Sequence, residues 1–268
     1  MKTVQTQKEE RFSMSLGAPL NGLADSIAAL KLNGEELLWS VRHDGLYHAS
    51  MDPEHIQLIE VRALAKKLSS GRKAEFAIKL ADMLKVINRA DDDDILQVSM
   101  DPEPAEKPVD YRRSVRLALK NTRRVLEYEL YLIEPTNPIS PLPKHEPQAS
   151  IKSGTQTIKD ILADMAVASE LVTLETDLAK RTVRFSSSGD SGKAARTLDA
   201  GDGVDIAPLG TDLRPVVTTY NIERMSKYLK TVKEDDITIE YATAKPLKAT
   251  SISDNITTTF YLAPRAQS

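Results

Sequence analysis

The sequence predicts an α+β protein made of two similar domains, each an antiparallel sheet carrying two helices. Three observations lead there. Four short segments place apolar residues at three- and four-residue spacing among many strand-like runs, a proline-rich stretch lies near the midpoint, and one segment recurs on the far side of that stretch. At 268 residues the chain has room for two domains, taking about 100–200 residues for each. At that size a hydrophobic core needs no covalent staple.

The helical segments carry Leu20, Leu23, Ile27 and Leu30; Leu80, Met83, Leu84 and Ile87; Ile158, Ile161, Leu162 and Met165; and Ile222, Met225, Leu229 and Val232. Between them, alternating or β-branched runs bounded by Gly, Asp, Asn or Pro predict strands at 37–41, 56–61, 74–78, 95–100, 114–119, 125–133, 171–175, 182–186, 237–241 and 256–262. Pro135, Pro138, Pro141, Pro143 and Pro147 forbid a helix or central strand, so 135–150 reads as a connector between a domain at 1–134 and another at 151–268. The run ending at Ile133 meets this connector and predicts a sheet edge, which must be blunted or paired. Met83, Lys85, Asp93, Asp94 and Ile95 recur at one constant offset as Met225, Lys227, Asp235, Asp236 and Ile237, a gapless match that predicts duplication of one domain.

Composition narrows the function classes. With 41% hydrophobic and 28% charged residues the chain has no apolar run long enough for a membrane span. The absence of cysteine excludes disulfides, thiolate nucleophiles and thiolate zinc sites. The first ten residues lack the apolar core of a secretory signal, so an intracellular protein is expected. A net charge of −3 argues against indiscriminate coating of nucleic acid. Positive charge is instead segregated: on helical wheels Arg224, Lys227 and Lys230, and Lys85 and Arg89, lie opposite their apolar stripes, an arrangement suited to phosphates. A charged outward face is equally what any solvated helix shows, and Glu223 and Asp82 dilute both faces.

Several other signals carry no chemistry. The four histidines (His43, His48, His55, His145) have no metal-ligand spacing. Asp91–Asp94 lacks the glycine turn and distal glutamate of a calcium loop. In Gly189-Asp-Ser-Gly-Lys193 the glycines are too close together for a phosphate loop, and Ala194 replaces the hydroxyl residue. Asn255-Ile-Thr257 is a formal glycosylation acceptor only. No nucleophile and base pair is visible, so neither catalysis, a metal nor a cofactor is expected.

At Ser50-Met-Asp-Pro-Glu-His-Ile-Gln-Leu58 and again at Phe260-Tyr-Leu-Ala-Pro-Arg265 the sequence resembles the sliding clamps of the proliferating cell nuclear antigen (PCNA) family, in archaeal or eukaryotic form. Ala81–Ile95, Glu127–Leu130, Val183–Gly189 and Lys245–Leu247 fall in that family's order, so the resemblance spans roughly Arg11 to Arg265. It implies the DNA clamp fold and a trimeric ring whose helices surround duplex DNA without reading sequence. The function implied is that of a polymerase processivity factor in DNA replication and repair, loaded by a clamp loader. By the same resemblance, Lys31, Lys85, Arg89, Lys159, Arg224, Lys227 and Lys230 would face DNA. Val125, Glu127 and Tyr128 would pair with Lys193, Arg196 and Leu198 of a neighbour, a head-to-tail contact that closes a ring.

The resemblance also implies a pocket for short peptides of DNA polymerase, flap nuclease and ligase, built from Met51, His55, Ile56, Leu58, Ile139, Leu142, Pro246, Tyr261 and Pro264, with exposed tail backbone near Ala263 free to pair with the peptide. Ile139 and Leu142, apolar in a proline-rich connector, are the strongest candidates for partner contact, whereas Leu58 reads equally as core. The location implied is cytoplasmic in an archaeon and nuclear in a eukaryote. Three departures stand out: an N-terminal extension at 1–11, about four extra residues around Asp177–Thr182, and few cations on the first and third helices. Two alternatives follow: a specialised subunit of a heterotrimeric clamp, or a clamp-fold interaction platform that does not encircle DNA.

Overall fold

The computed structural model describes residues 12–17, 19–68, 74–101, 111–201 and 203–265; the expected N-terminal extension lies outside them. The chain divides into two compact units. One comprises the chain up to Ala24, Glu35–His48 and Arg62–Pro138; the other comprises Asp25–Gly34, Ala49–Val61 and Ile139 onward. Residues 132–148 form neither helix nor strand.

The elements of the first unit are β1 (Phe12–Leu16), β2 (Glu36–Arg42), the start of β3 (Gly45–Met51), the end of β4 (Gln57–Leu68), β5 (Ala74–Lys79), α2 (Leu80–Ile87), β6 (Ile95–Met100), β7 (Ser114–Lys120) and β8 (Val125–Tyr131). Strands β4-β1-β6-β7-β8 form one antiparallel run and β3-β2-β5 another. Gly45 marks the crossing between them. A Cβ there would sit 2.0 Å from the Ala63 carbonyl oxygen, so only glycine admits this backbone approach. Trp39, Phe76, Ile78, Met83, Val98 and Leu117 fill the interior.

The second unit contains β9 (Ala149–Gly154), α3 (Thr155–Ala166), β10 (Leu171–Asp177), β11 (Thr182–Gly189), β12 (Gly192–Asp199), β13 (Asp205–Pro208), β14 (Val216–Asn221), α4 (Ile222–Thr231), β15 (Asp236–Tyr241), β16 (Leu247–Ser253) and β17 (Ile256–Leu262), together with most of α1 (Asn21–Leu30). Its strands run β13-β9-β15-β16-β17 and β12-β11-β10-β14, all antiparallel. Helix α3 packs on β9, β10, β11 and β12, and α4 on α3, β14 and β17. Beneath α4, the Tyr228 and Phe260 rings stack with centroids 4.5 Å apart.

All four helices form where the apolar spacing predicts them. Among the described residues, seven strands have no counterpart among the periodic runs: β1, β3, β9, β12, β13, β14 and β16. Strand β12 buries no side chain, and β3 buries its first five in succession, so neither alternates. Strand β8 stops at Tyr131 and not at Ile133: the Leu132 amide still bonds in register to the Arg113 carbonyl, but the Ile133 amide leaves the ladder for the Ala77 carbonyl.

Candidate functional site

On α2, Lys85 and Arg89 are exposed, and Lys85 Nζ sits 3.0 Å from Asp82 Oδ1 one turn earlier. On α4, Lys227 is exposed and lies 2.6 Å from Glu223, whose carboxyl its ammonium holds below the ordinary glutamate range. Lys230 is exposed and makes no ion pair among the described residues. Exposed pairs of this kind exchange readily with water and phosphate and contribute little to stability. Lys31 is exposed just past α1, while Lys159 is half-buried and donates to the Val232 carbonyl at 3.0 Å, closing the end of α4.

Arg224 differs from all of these. Wheel geometry predicts that it projects outward as a free cation, yet its side chain is only 20% exposed. Its guanidinium lies 2.7 Å from Asp52 Oδ2 and 2.5 Å from Glu54 Oε2. The wheel reading fails here because a loop from elsewhere in the chain reaches the side chain and neutralises it.

Two strands end their sheets with no side chain buried. Strand β8 presents Val125, Glu127, Glu129 and Tyr131 on one face, all exposed, with Tyr128 half-buried on the other. Strand β12 exposes Lys193 and Arg196, with Leu198 half-buried; Arg196 reaches Asp164 of α3 at 3.4 Å. One edge is thus acidic and the other basic. An unpaired edge of this length is a template for another strand. Immediately before β8, Arg124 donates to Asp94 Oδ2 and to the Arg89 carbonyl, both at 2.7 Å, and lies 2.9 Å from Asp91. Burial works to raise the Asp94 carboxyl, but the Asp91 amide and the Arg124 guanidinium outweigh it and hold the group below the usual aspartate range. Asp91–Asp94 is therefore an anchor for the start of this edge.

The residues named for the peptide pocket all fall in the second unit. Met51, Ile56, Ile139, Pro246 and Pro264 are half-buried, His55 is exposed, and Leu142 is 37% exposed. Leu58 is 2% exposed and is part of the buried core. Ile139 is less exposed than a connector position predicts, because the Ser140 amide donates to the Ala49 carbonyl at 2.9 Å and draws the chain in. Tyr261 is buried against His145, edge to face at 6.1 Å, and burial pushes the His145 imidazole below its ordinary value. The tail backbone is also not free at Ala263: its amide donates to the Ile56 carbonyl at 2.8 Å.

Sequence reasoning missed Asp52, the centre of this region. Its Oδ1 accepts the amides of Ile56 and Gln57, both at 2.8 Å, closing a turn in which His55 adopts φ 58°. The available signal was Asp-Pro, a turn opener whose carboxylate caps its own following backbone. Gln57 in turn donates to Asn33 Oδ1 at 2.8 Å, and Asn33 to the Ser50 carbonyl at 2.6 Å. Among the described residues no three His, Asp or Glu side chains gather as a metal site, and no helix is long and apolar enough to cross a membrane.

No family model matches the chain. Curated relatives do: the DNA polymerase sliding clamp of Nitrosopumilus maritimus is 29% identical over 265 residues, covering 95% of this chain and 100% of that protein. Proliferating cell nuclear antigen of Dictyostelium discoideum is 25% identical over 233 residues, covering 84% of this chain and 88% of that protein. Among solved structures, PCNA from Thermococcus kodakaraensis matches with a TM-score of 0.78 at 18% identity, over 95% of this chain and 100% of that one. PCNA from Entamoeba histolytica gives 0.77 at 16%, over 95% and 99%. At these identities the solved structures establish the shared fold.

Proposed function

We propose that this chain, a relative of the PCNA-type sliding clamps in sequence and in fold, is itself a DNA sliding clamp: a homotrimeric ring that encircles duplex DNA and tethers polymerase to it. The observation that carries the reading is the full-length relation to a polymerase clamp, 95% of this chain against 100% of that protein. Two features of the chain support it. The exposed edges β8 and β12 have opposite charge, as head-to-tail closure of one chain with copies of itself requires. The exposed cations Lys31, Lys85, Arg89, Lys227 and Lys230, with half-buried Lys159, offer weak phosphate contacts, which suit a ring that must slide.

In this reading topology holds the DNA and no catalysis is needed. Met51, His55, Ile56, Ile139, Leu142, Pro246, Tyr261 and Pro264 form a groove for the short apolar peptides of polymerase, flap nuclease and ligase, and a clamp loader opens the ring. The protein then works wherever the cell keeps its chromosomes. Arg224 and Leu58 leave the two lists, the first because its charge is already matched and the second because it is core.

Two measurements test the proposal. The purified chain should have a solution mass three times that of the protomer, and after loading it should be retained on circular DNA and lost from linear DNA. A monomer at micromolar concentration, or equal retention on both substrates, overturns the homotrimeric clamp.

A further inference from the structure

We propose that Arg224 and Asp52 are a positioning pair that holds the peptide groove in its binding shape, so that a cation on a helix face acts on protein partners and not on DNA. The inference rests on the reading of that groove as a peptide site. Within the second unit a continuous polar chain starts at α4. The Arg224 guanidinium donates to Asp52 Oδ2, and Asp52 Oδ1 accepts the Ile56 and Gln57 amides. The Ile56 carbonyl accepts the Ala263 amide of the tail at 2.8 Å. The tail is held from a second side as well, because the Arg265 amide donates to the Thr219 carbonyl at 2.8 Å, two residues before the Asn221 cap of α4. That cap accepts the Arg224 amide at 3.0 Å, so backbone and side chain of one residue meet both supports of the tail.

Asp52 is 4% exposed, and a carboxylate so placed is costly to bury unless its oxygens are bonded. Two amides and one guanidinium supply them. The backbone at His55, with φ 58°, is unfavourable for a non-glycine residue and persists because the Asp52 side chain spans the turn. Removing the guanidinium leaves a buried charge with no counterion. The turn then opens toward water, and Ile56 and the tail lose their common support. Glu54, itself 66% exposed, shares Arg224 but cannot replace Asp52, because among the described residues it is Asp52 that bonds the turn backbone.

The test uses the full chain, a fluorescent synthetic peptide with a glutamine, an aliphatic residue and two aromatics, and nicked circular DNA. Arg224→Gln should weaken peptide binding by about tenfold, the scale of one charge-assisted hydrogen bond, and leave DNA retention unchanged. Lys230→Ala, on the same helix but outside the chain of bonds, should leave peptide binding unchanged. Asp52→Asn should resemble Arg224→Gln, and the double variant should lose less than the product of the single losses, since two neutral amides can still bond each other. Arg224→Lys should recover part of the affinity. A purely structural role would lower Tm without this rescue, so hydrogen exchange at the Ala263 and Arg265 amides is read alongside: Arg224→Gln should speed both at temperatures where the protein stays folded.

If the wild type binds the peptide and Arg224→Gln binds it equally well, the pair assignment falls and the groove reading stands. If the wild type fails to bind, the groove reading falls and takes this inference with it. Loss of DNA retention without loss of peptide binding returns Arg224 to the DNA face.

Discussion

Helices α2 and α4 begin the two copies of the recurring segment, and they share their apolar side but not their polar one. Met83 and Met225 occupy the same repeat position, and both are buried. Lys85 and Lys227 match and are both exposed, each beside a carboxylate of its own helix. The residue preceding the methionine is Asp82 in one copy and Arg224 in the other. Asp82 stays at the surface with Lys85, whereas Arg224 turns onto Asp52. The aspartates that end the segment diverge too: Asp94 is fully buried with Arg124, and Asp236 is exposed beside Lys152. Each copy thus contains one buried ion pair, at opposite ends of the segment. A repeat preserves the face that packs, because packing has one geometry, and frees the face whose neighbours come from elsewhere.

This contrast can be broken at its shared positions first. Met83→Ala and Met225→Ala should each cost about 2–5 kcal/mol in urea unfolding, as buried large-to-small changes do. A large difference between them would deny that the two helices pack equivalently. At the divergent position, Arg224→Asp should lower Tm clearly by setting a like charge against Asp52, while Asp82→Arg, which meets no buried partner, should leave Tm nearly unchanged.

The aspartates make a pH test. Folding depresses the Asp94 carboxyl, so its contribution is present above the ordinary aspartate range and is lost as pH falls through the depressed value. Asp94→Asn should therefore flatten the acid side of the stability profile. Smallest of all, Asp25→Asn should raise Tm at pH 7 by up to a few degrees. Burial first, then Glu234, raises the Asp25 carboxyl, so its ionised form opposes folding as pH rises past that value, and the amide removes the opposition. An unchanged Tm would mean that the Asp25 site is better solvated than its setting in α1 implies.

The helices and the edge strand β8 were legible because each rests on local periodicity or on a proline stop. Strand β12 could be named only from resemblance to a family, since Lys193-Ala-Ala-Arg-Thr-Leu198 buries nothing and leaves no pattern to read. The residues proposed to form the groove were half legible. Leu142 announces itself as an apolar residue in a proline-rich connector, but the Asp52 turn and the occupied amide of Ala263 do not, because both depend on partners distant in the chain.

By itself the sequence determined where apolar residues repeat, where proline forbids regular structure, and that one segment occurs twice, because these follow from spacing along the backbone and from fixed dihedral angles. Tertiary structure alone decided which charges are spent on other charges. A side chain's surroundings are set by segments that folding brings to it, and Arg224 beside Asp52, a helix residue and a turn residue far apart in the chain, has no local signature for any reading of neighbours to find.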